Sequence, residues 1–567
     1  MIAKISPLLR LPSTADVFDY FVPPDLEAQI KLGQLVAIPW RTEEAVGVVL
    51  ELTPSNSPLV RGRDEERSFR ARPIRKIINP EPILTPAQLT LIKTFSSHYF
   101  CPPGAVARLV IPEAPERTII KAVKITAPWQ IKFEKPQLTA LAEAAKLINN
   151  ETRHIIVRDF SSFIWLIFYF LESKSACPPK PWRRRGSLVI LFPTIDILEA
   201  TQAILEKKYG QSLTVIHSQL SKGAYWRAYQ SILKAEAKII LSTRQGVFLP
   251  IPEQSKIIFW NASSDDFKQT DQHPRYDARL AATWQAKATN SQLISTAPNP
   301  LLFACPPEWR EEGEGGGVIV LPTASLYKTE TKIINMKKEF ALKDFSVISE
   351  QTIEAINEAL EEKKQVVIIG LKNDFKVKAA LTKRLENVKN IIVATPNWLM
   401  SGPARLWRGQ IGCLIISSIE PLLALPDYSA SERVLYRLQE WKLWAQELLI
   451  PTIILQSYQA ESAVMRAFVH GEIEEYRAAE LKLRQSLEYP PFGDLIKISF
   501  KGADQVELMR VLTKLKETGA KVLGPYKEYK TKRESFLLKI KNNIDIPLLA
   551  TLPAKVWAVD RDPEMVL

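Results

Sequence analysis

The sequence predicts an α/β protein of several domains whose middle is built on parallel sheets, and three observations carry that expectation. Near-continuous apolar runs of strand length recur at Ser187–Phe192, Lys238–Thr243, Ile257–Trp260, Val366–Gly370, Ile391–Thr395, Leu414–Ser417 and Thr452–Gln456, as strands buried on both faces require. Helical stretches separate these runs across positions 113–457, an alternation that winds helices onto both faces of a sheet and is long enough for two such sheets. The chain's 567 residues also exceed one ordinary core, since a domain takes roughly 100–200 residues.

Residues 1–112 alternate short β-like runs with turns, as in Gln34–Pro39 and Ala45–Leu52, and read as a β-rich domain. Pro54–Arg72 is polar and charge-dense, a long loop in which Asp64–Arg67 is a solvated face. Thr85–Tyr99 then carries helical spacing behind a Thr-Pro start. The two α/β units fall at 113–310 and 311–457, with Glu311–Gly317 (EEGEGGG) as the linker between them. Glu472–Leu487 reads as a helix that must break at Tyr489–Gly493 (YPPFG), within an α+β domain at 458–567.

Hydrophobic residues at 46% and charged residues at 24% describe a globular protein. The apolar run Phe163–Leu171 spans nine residues, against the roughly 20 needed to cross a bilayer, so a buried element is expected and no membrane partner. The first residues hold no sustained apolar stretch of the kind a secretory leader needs, and a cytoplasmic protein is expected. Cys101, Cys177, Cys305 and Cys413 lie far apart with no CxxC pair, which points to buried thiols and to no metal or cofactor. The formal charge of +13 suits a polyanionic partner, because Lys and Arg displace counterions condensed on phosphates. Arg477–Lys541 concentrates that surplus, with fifteen Lys/Arg against eight Asp/Glu.

Several fragments stand in order along the chain. Phe18–Tyr20 (FDY) before Val22 and Pro23, then Gly33–Pro39 and Gly47–Val49, and last His98–Phe100, Pro102, Gly104 and Leu109–Pro112 resemble the start, the strands and the end of the 3′-DNA-binding domain of the PriA family of replication-restart helicases. Thr243, Arg244 and Phe248, Lys268 and Gln269, Pro274–Tyr276, and Ala278 with Arg279 match helicase-region positions. Leu425–Tyr428 with Ala430–Arg433 is close to the family's LPDFRASER. Tyr489–Gly493, Val522–Pro525 and Val559–Pro563 (VDRDP) match its C-terminal domain. The resemblance implies a 3′-DNA-binding domain, two helicase lobes and a C-terminal domain.

What breaks that register is the nucleotide chemistry. A phosphate loop needs glycines for close backbone approach, a Lys for the charge and a Ser or Thr for Mg²⁺. Where the family carries GSGKT this chain has Ser161–Trp165 (SSFIW), with Ile164 and Trp165 in the places of Lys and Thr. Trp260 and Asn261 stand where the family's acidic DEEH motif begins, and Asp265 and Asp266 are the nearest acids, read as surface loop residues. Trp444 and Glu447 stand where two arginines would reach a transition-state phosphate. The family's eight-cysteine zinc insertion is missing between Gly370 and Ile391. No catalytic residue is assigned, and Trp165, Trp260, Trp441 and Trp444 are candidates for closing the cleft by packing.

By resemblance Phe18, Asp19 and Tyr20 are candidates for a pocket taking a 3′ end, strand packing being the alternative for the two rings. Arg183, Arg184 and Arg185 after Trp182 could track a phosphate backbone with a base stacked on the ring, or form a solvated loop. Lys527, Lys530, Lys532 and Arg533 form a second phosphate candidate. The expected function is a monomeric binder of branched or forked DNA with a 3′ end in replication restart, working with other restart proteins and without helicase activity. The alternatives are an active ATP-dependent 3′-5′ helicase and a protein scaffold that does not touch DNA.

Overall fold

Apolar-polar alternation in the first domain gives five antiparallel strands, β1 (Ile2–Pro7), β2 (Phe18–Phe21), β3 (Leu35–Trp40), β4 (Glu43–Thr53) and β5 (Lys76–Ile77), in the order β2-β1-β4-β3-β5. The computed structural model describes residues 1–8, 17–41, 43–53, 71–113, 131, 133–149, 152–172, 186–270, 272–298, 318–323, 327–342, 347–370, 374–385, 388–425, 427–502, 504–527, 533–540, 546–553 and 556–563. Positions 54–70, the linker at 311–317, Cys177 and Cys305 lie outside them; Cys101 and Cys413 are buried. Gly33 adopts φ 80°, and a Cβ there would meet the Leu84 carbonyl oxygen at 2.5 Å. A Cβ on Gly47 would meet Ile5 at 2.4 Å across the β1–β4 pairing, so that pairing needs glycine.

The helix Pro86–His98 starts at a capping box in which Thr85 and Gln88 satisfy each other's backbone amides. Gln88 also donates to the Phe248 carbonyl at 2.7 Å, and fully buried Phe95 lies 5.5 Å from the ring of Tyr276. The first domain therefore shares one core with the lobe that follows.

That lobe is a seven-stranded parallel sheet of β6 (His154–Ile156), β7 (Leu188–Leu191), β8 (Leu213–Ile216), β9 (Ile239–Ser242), β10 (Lys256–Phe259), β11 (Gln292–Ala297) and β12 (Val318–Val320), ordered β12-β6-β11-β10-β7-β9-β8. β7, β9 and β10 are buried at every position, as their apolar runs require. β12 lies beyond the expected boundary at 310, yet pairs with β6, so the chain returns to the first sheet after the glycine-rich stretch. The second lobe is also parallel: β13 (Glu330–Asn335), β14 (Gln365–Ile369), β15 (Ile391–Ala394), β16 (Ile411–Ile416) and β17 (Thr452–Ser457), ordered β13-β17-β16-β14-β15. Phe163–Leu171 falls inside the buried helix Phe160–Glu172, and no helix among the described residues is long and apolar enough to cross a membrane.

The last domain is an antiparallel sheet of β18 (Asp494–Phe500), β19 (Lys521–Lys527), β20 (Glu534–Ile540) and β21 (Trp557–Arg561), ordered β19-β20-β18-β21. It is tied to its neighbours on several sides. Arg561 donates to the His98 carbonyl at 3.5 Å, Lys268 of the first lobe to the Arg561 carbonyl at 2.9 Å, and Arg275 pairs with Asp560 at 3.0 Å. On the second lobe's side, Tyr428 stacks on Tyr489 at 5.1 Å. The helix Ile473–Leu487, which stops at left-handed Glu488, sends Arg484 to Glu432 of the helix Ala430–Glu447 and to Glu480, both at 2.8 Å. Arg484 and Glu432 are almost wholly buried, and removing the cation leaves a charge with no solvent to receive it. Arg484→Ala is expected to destabilise the protein by about 3–5 kcal/mol, checked by chemical denaturation, with the double change Arg484→Met, Glu432→Leu recovering most of the loss.

Candidate functional site

β6 runs through the turn Val157–Asp159 into the helix Phe160–Glu172. The first N–H groups of a helix lack intrahelical partners and carry the positive end of its dipole, so a strand-turn-helix edge of this kind is a natural seat for phosphate. In this chain the seat is filled from within. Glu447, at the end of the helix Ala430–Glu447 in the other lobe, accepts through Oε1 from the Phe160 amide at 2.9 Å and the Ser161 amide at 3.3 Å. Asp159 accepts from the Ser162 amide at 2.6 Å and the Ser162 hydroxyl at 2.8 Å.

Rings wall this contact. Phe160 lies 5.7 Å from both Trp260 and Trp444, and Phe163 lies 4.4 Å from Trp260. Trp260, Trp441 and Trp444 are buried, and with Ile164 they belong to one core that takes residues from both lobes. Trp165 is half-buried and stacks on Tyr169 at 5.3 Å. Burial, followed by the nearby charge of Asp159, pushes the Glu447 carboxyl up to about 7, against the opposing pull of the two amides and Arg408.

A second polar set crosses the same seam. Asn261 takes a left-handed φ of 50°, which Asn tolerates better than most residues, and donates to Glu440 at 2.8 Å. Ser263 donates back to Asn261 at 2.6 Å, Arg437 pairs with Glu440 at 3.1 Å and reaches Asp265 at 3.8 Å, and Arg244 donates to the Asp266 carbonyl at 3.3 Å. Asp265 and Asp266, expected as solvated loop acids, thus face a cation of the second lobe. Burial raises the carboxyls of both Glu440 and Asp266. Glu440, Arg437 and the role of Glu447 escaped the sequence reading. The one local signal was an acid in the last turn of a helix, where the dipole disfavours negative charge.

The nucleic-acid candidates divide between faces. Strand alternation sends Phe18 and Tyr20 to one side of β2 and Asp19 to the other. Phe18 meets Trp40 edge-on at 5.1 Å, and buried Tyr20 donates to the Pro39 carbonyl at 3.4 Å. Exposed Asp19 stands opposite Lys4 in register, on the face where Lys4 and Lys93 pair with Glu51 at 2.8 and 3.1 Å. It lines a cavity of about 1270 Å³ whose other walls include His273 and Arg275 of the first lobe and Arg533 of the last domain. Asp19 and Arg533, chosen separately from the sequence, therefore share one cavity. Arg533 also lines a smaller cavity of about 600 Å³ with Lys501, Gln505 and exposed Lys527. Arg183, Arg184, Arg185, Lys530 and Lys532 lie outside the described residues.

An antiparallel end domain fused to two parallel-sheet lobes, with its cavity shared by the last domain, defines a multidomain α/β protein, and residues 8–112 match the PriA 3′DNA-binding domain (3′BD). Replication restart protein PriA of Rickettsia conorii is 26% identical over 378 residues, covering 65% of this chain and 52% of that one. The protein of the same name from Thermotoga maritima is 22% identical over 442 residues, covering 63% and 59%. The chain is thus similar to the PriA family in its first domain and over the stretches aligned with these relatives. It spans little more than half the length of these relatives. Among solved structures, RecG bound to a three-way DNA junction aligns with TM-score 0.36 and 11% identity over 64% of this chain and 50% of that one. The DUF1998 helicase MrfA bound to DNA aligns with TM-score 0.33 and 9% identity over 75% and 61%.

The Glu447 carboxyl sets a pH dependence. Its folded-state affinity for a proton exceeds the ordinary value of 4.5, so the folded chain holds more protons than the unfolded one between 4.5 and about 7, and stability falls as pH rises through that window. Glu447→Gln keeps an accepting oxygen and removes the titration. Thermal melts from pH 5 to 8 are expected to show a shallower decline in the variant, with a gain over the parent at pH 8 of up to about 3 kcal/mol. Identical slopes for the two proteins would contradict this.

Proposed function

We propose that this chain is a DNA-binding protein of replication restart that recognises branched DNA with a 3′ end and does so without hydrolysing ATP. The match of its first domain to the 3′DNA-binding domain supports the DNA partner, as do the relatives named for replication restart. The observation that carries the non-catalytic half is Glu447 bonded to the first amides of the helix Phe160–Glu172, behind Phe160, Trp260 and Trp444. A triphosphate seated there would have to displace a carboxylate and two indoles, and Ile164 and Trp165 offer it no cation. Asp19 and Arg533 in one cavity support end recognition: a carboxylate can accept from a terminal sugar hydroxyl while an arginine neutralises the adjoining phosphate. In this reading the protein is a cytoplasmic monomer that presents the fork to other restart proteins.

Binding measured by fluorescence anisotropy is expected to be tighter for forks with a recessed 3′ end at the branch than for blunt duplex. It should weaken steeply with salt, by about 0.9 in log K per log salt for each phosphate neutralised. Asp19→Ala should narrow the preference for a free 3′ hydroxyl and leave the salt slope nearly intact. Replacing Lys527 and Arg533 by Ala should weaken all forms together and flatten the slope by up to about two units. Replacing Arg183, Arg184 and Arg185 should flatten it by up to about three. Equal affinity for fork and duplex, unmoved by the Asp19 change, would leave only a generic basic surface. Phosphate release stimulated by forked DNA above a buffer control would overturn the non-catalytic reading.

A further inference from the structure

The contact at Phe160 has the anatomy of a ligand site. Thirteen residues of helix stand behind it, and its first two amides converge on one oxygen. The oxygen comes from 287 positions away, in the other lobe, so the bond to Phe160 crosses the interface rather than belonging to either side. On the Glu447 side the helix end is itself anchored, because Arg408 donates through Nε to the Glu447 carbonyl at 2.9 Å. Closure around a bound ligand is a general way for two-lobed proteins to shut a cleft.

We propose that Glu447 is a built-in ligand: its carboxyl oxygen takes the phosphate position at the helix end and holds the two lobes closed without any nucleotide. This rests on the non-catalytic reading above and adds what replaces the nucleotide. Further contacts run the same way. The last domain is bonded to the second lobe through Arg484 and Glu432 and to the first through Lys268, Arg275 and Asp560, so it bridges both lobes across the closed seam. Asn261 and Glu440 add a bond across the seam beside it. Opening the cleft would break the Glu447 and Asn261 bonds and pull the bridging domain from one of its two lobes.

Hydrogen exchange on the full chain, read at the amides of Phe160 and Ser161, tests this without DNA. The parent is expected to protect them equally with and without ATP. Glu447→Ala should exchange there about tenfold faster, as expected when a buried hydrogen bond is lost, with unchanged protection in β1 and β4. Glu447→Gln, which keeps the accepting oxygen, should stay within about twofold of the parent. Millimolar inorganic phosphate, at ionic strength matched with chloride, should slow exchange in Glu447→Ala and leave the parent unaffected. Should the alanine variant lose protection in β1 and β4 and so not be folded, Glu447→Asp withdraws the oxygen by one methylene and is expected to show the same loosening and the same phosphate rescue. Parent-like protection in Glu447→Ala, or loosening that phosphate does not reverse, overturns the proposal. Failure of the parent to bind forked DNA would sink the functional reading and leave these results standing.

Discussion

A carboxylate taken out of water is unstable unless something nearby answers its charge, and the helix end at Phe160 gives that answer to Glu447. Two amides and a helix dipole offset part of the desolvation. The remainder appears as the raised proton affinity of the group, which eases when the carboxyl is neutral. Because donor and acceptor belong to different lobes, neither lobe alone can satisfy its own group. The rings of Phe160, Trp260 and Trp444 keep water from substituting for the missing partner.

Once the seam is fixed, the fragments that carry the family resemblance acquire a common physical role. Lys268, Arg275, Asp560 and Arg561 join the first lobe to the last domain, and Asp494 completes the set by pairing with Arg561 at 3.0 Å. Tyr428 and Tyr489 stack where the second lobe meets that domain, with the Arg484 guanidinium 5.0 Å from the Tyr428 ring. Gly33 and Gly47 permit close backbone packing inside the first sheet. These are contacts of assembly rather than of chemistry. A chain can retain them whether or not it turns over a nucleotide, which is why the fragments read clearly while the nucleotide positions do not.

Much of the fold was legible for the same reason. Strands buried on both faces must be apolar throughout, so β7, β9, β10, β14, β16 and β17 announce themselves, half-buried β15 is apolar as well, and Thr85 with Gln88 marks a helix start within three residues. β6 and β12 are three residues each, too short to show a period, and β13 mixes charge with apolar residues. Ile164, Trp165, Trp260 and Asn261 were legible as departures from the motifs the chain otherwise resembles, but the partner of the helix end at Phe160 was not. A single glutamate in a final helical turn resembles a solvated residue, and only the fold brings it to an amide 287 positions distant.

The cavity holding Asp19 adds a constraint on how such a protein could read DNA. Its walls come from the first domain, the first lobe and the last domain together, so its shape exists only while those three bodies keep their relative placement. The last domain keeps that placement through bonds to both lobes, and the lobes keep theirs through the seam at Glu447 and Glu440. A protein that cycled its lobes would have to reshape the cavity or tear the last domain from one partner at every turn. Closure held from within lets a cavity at a three-body junction stay pre-organised, so less binding energy is lost to ordering the site when any ligand arrives.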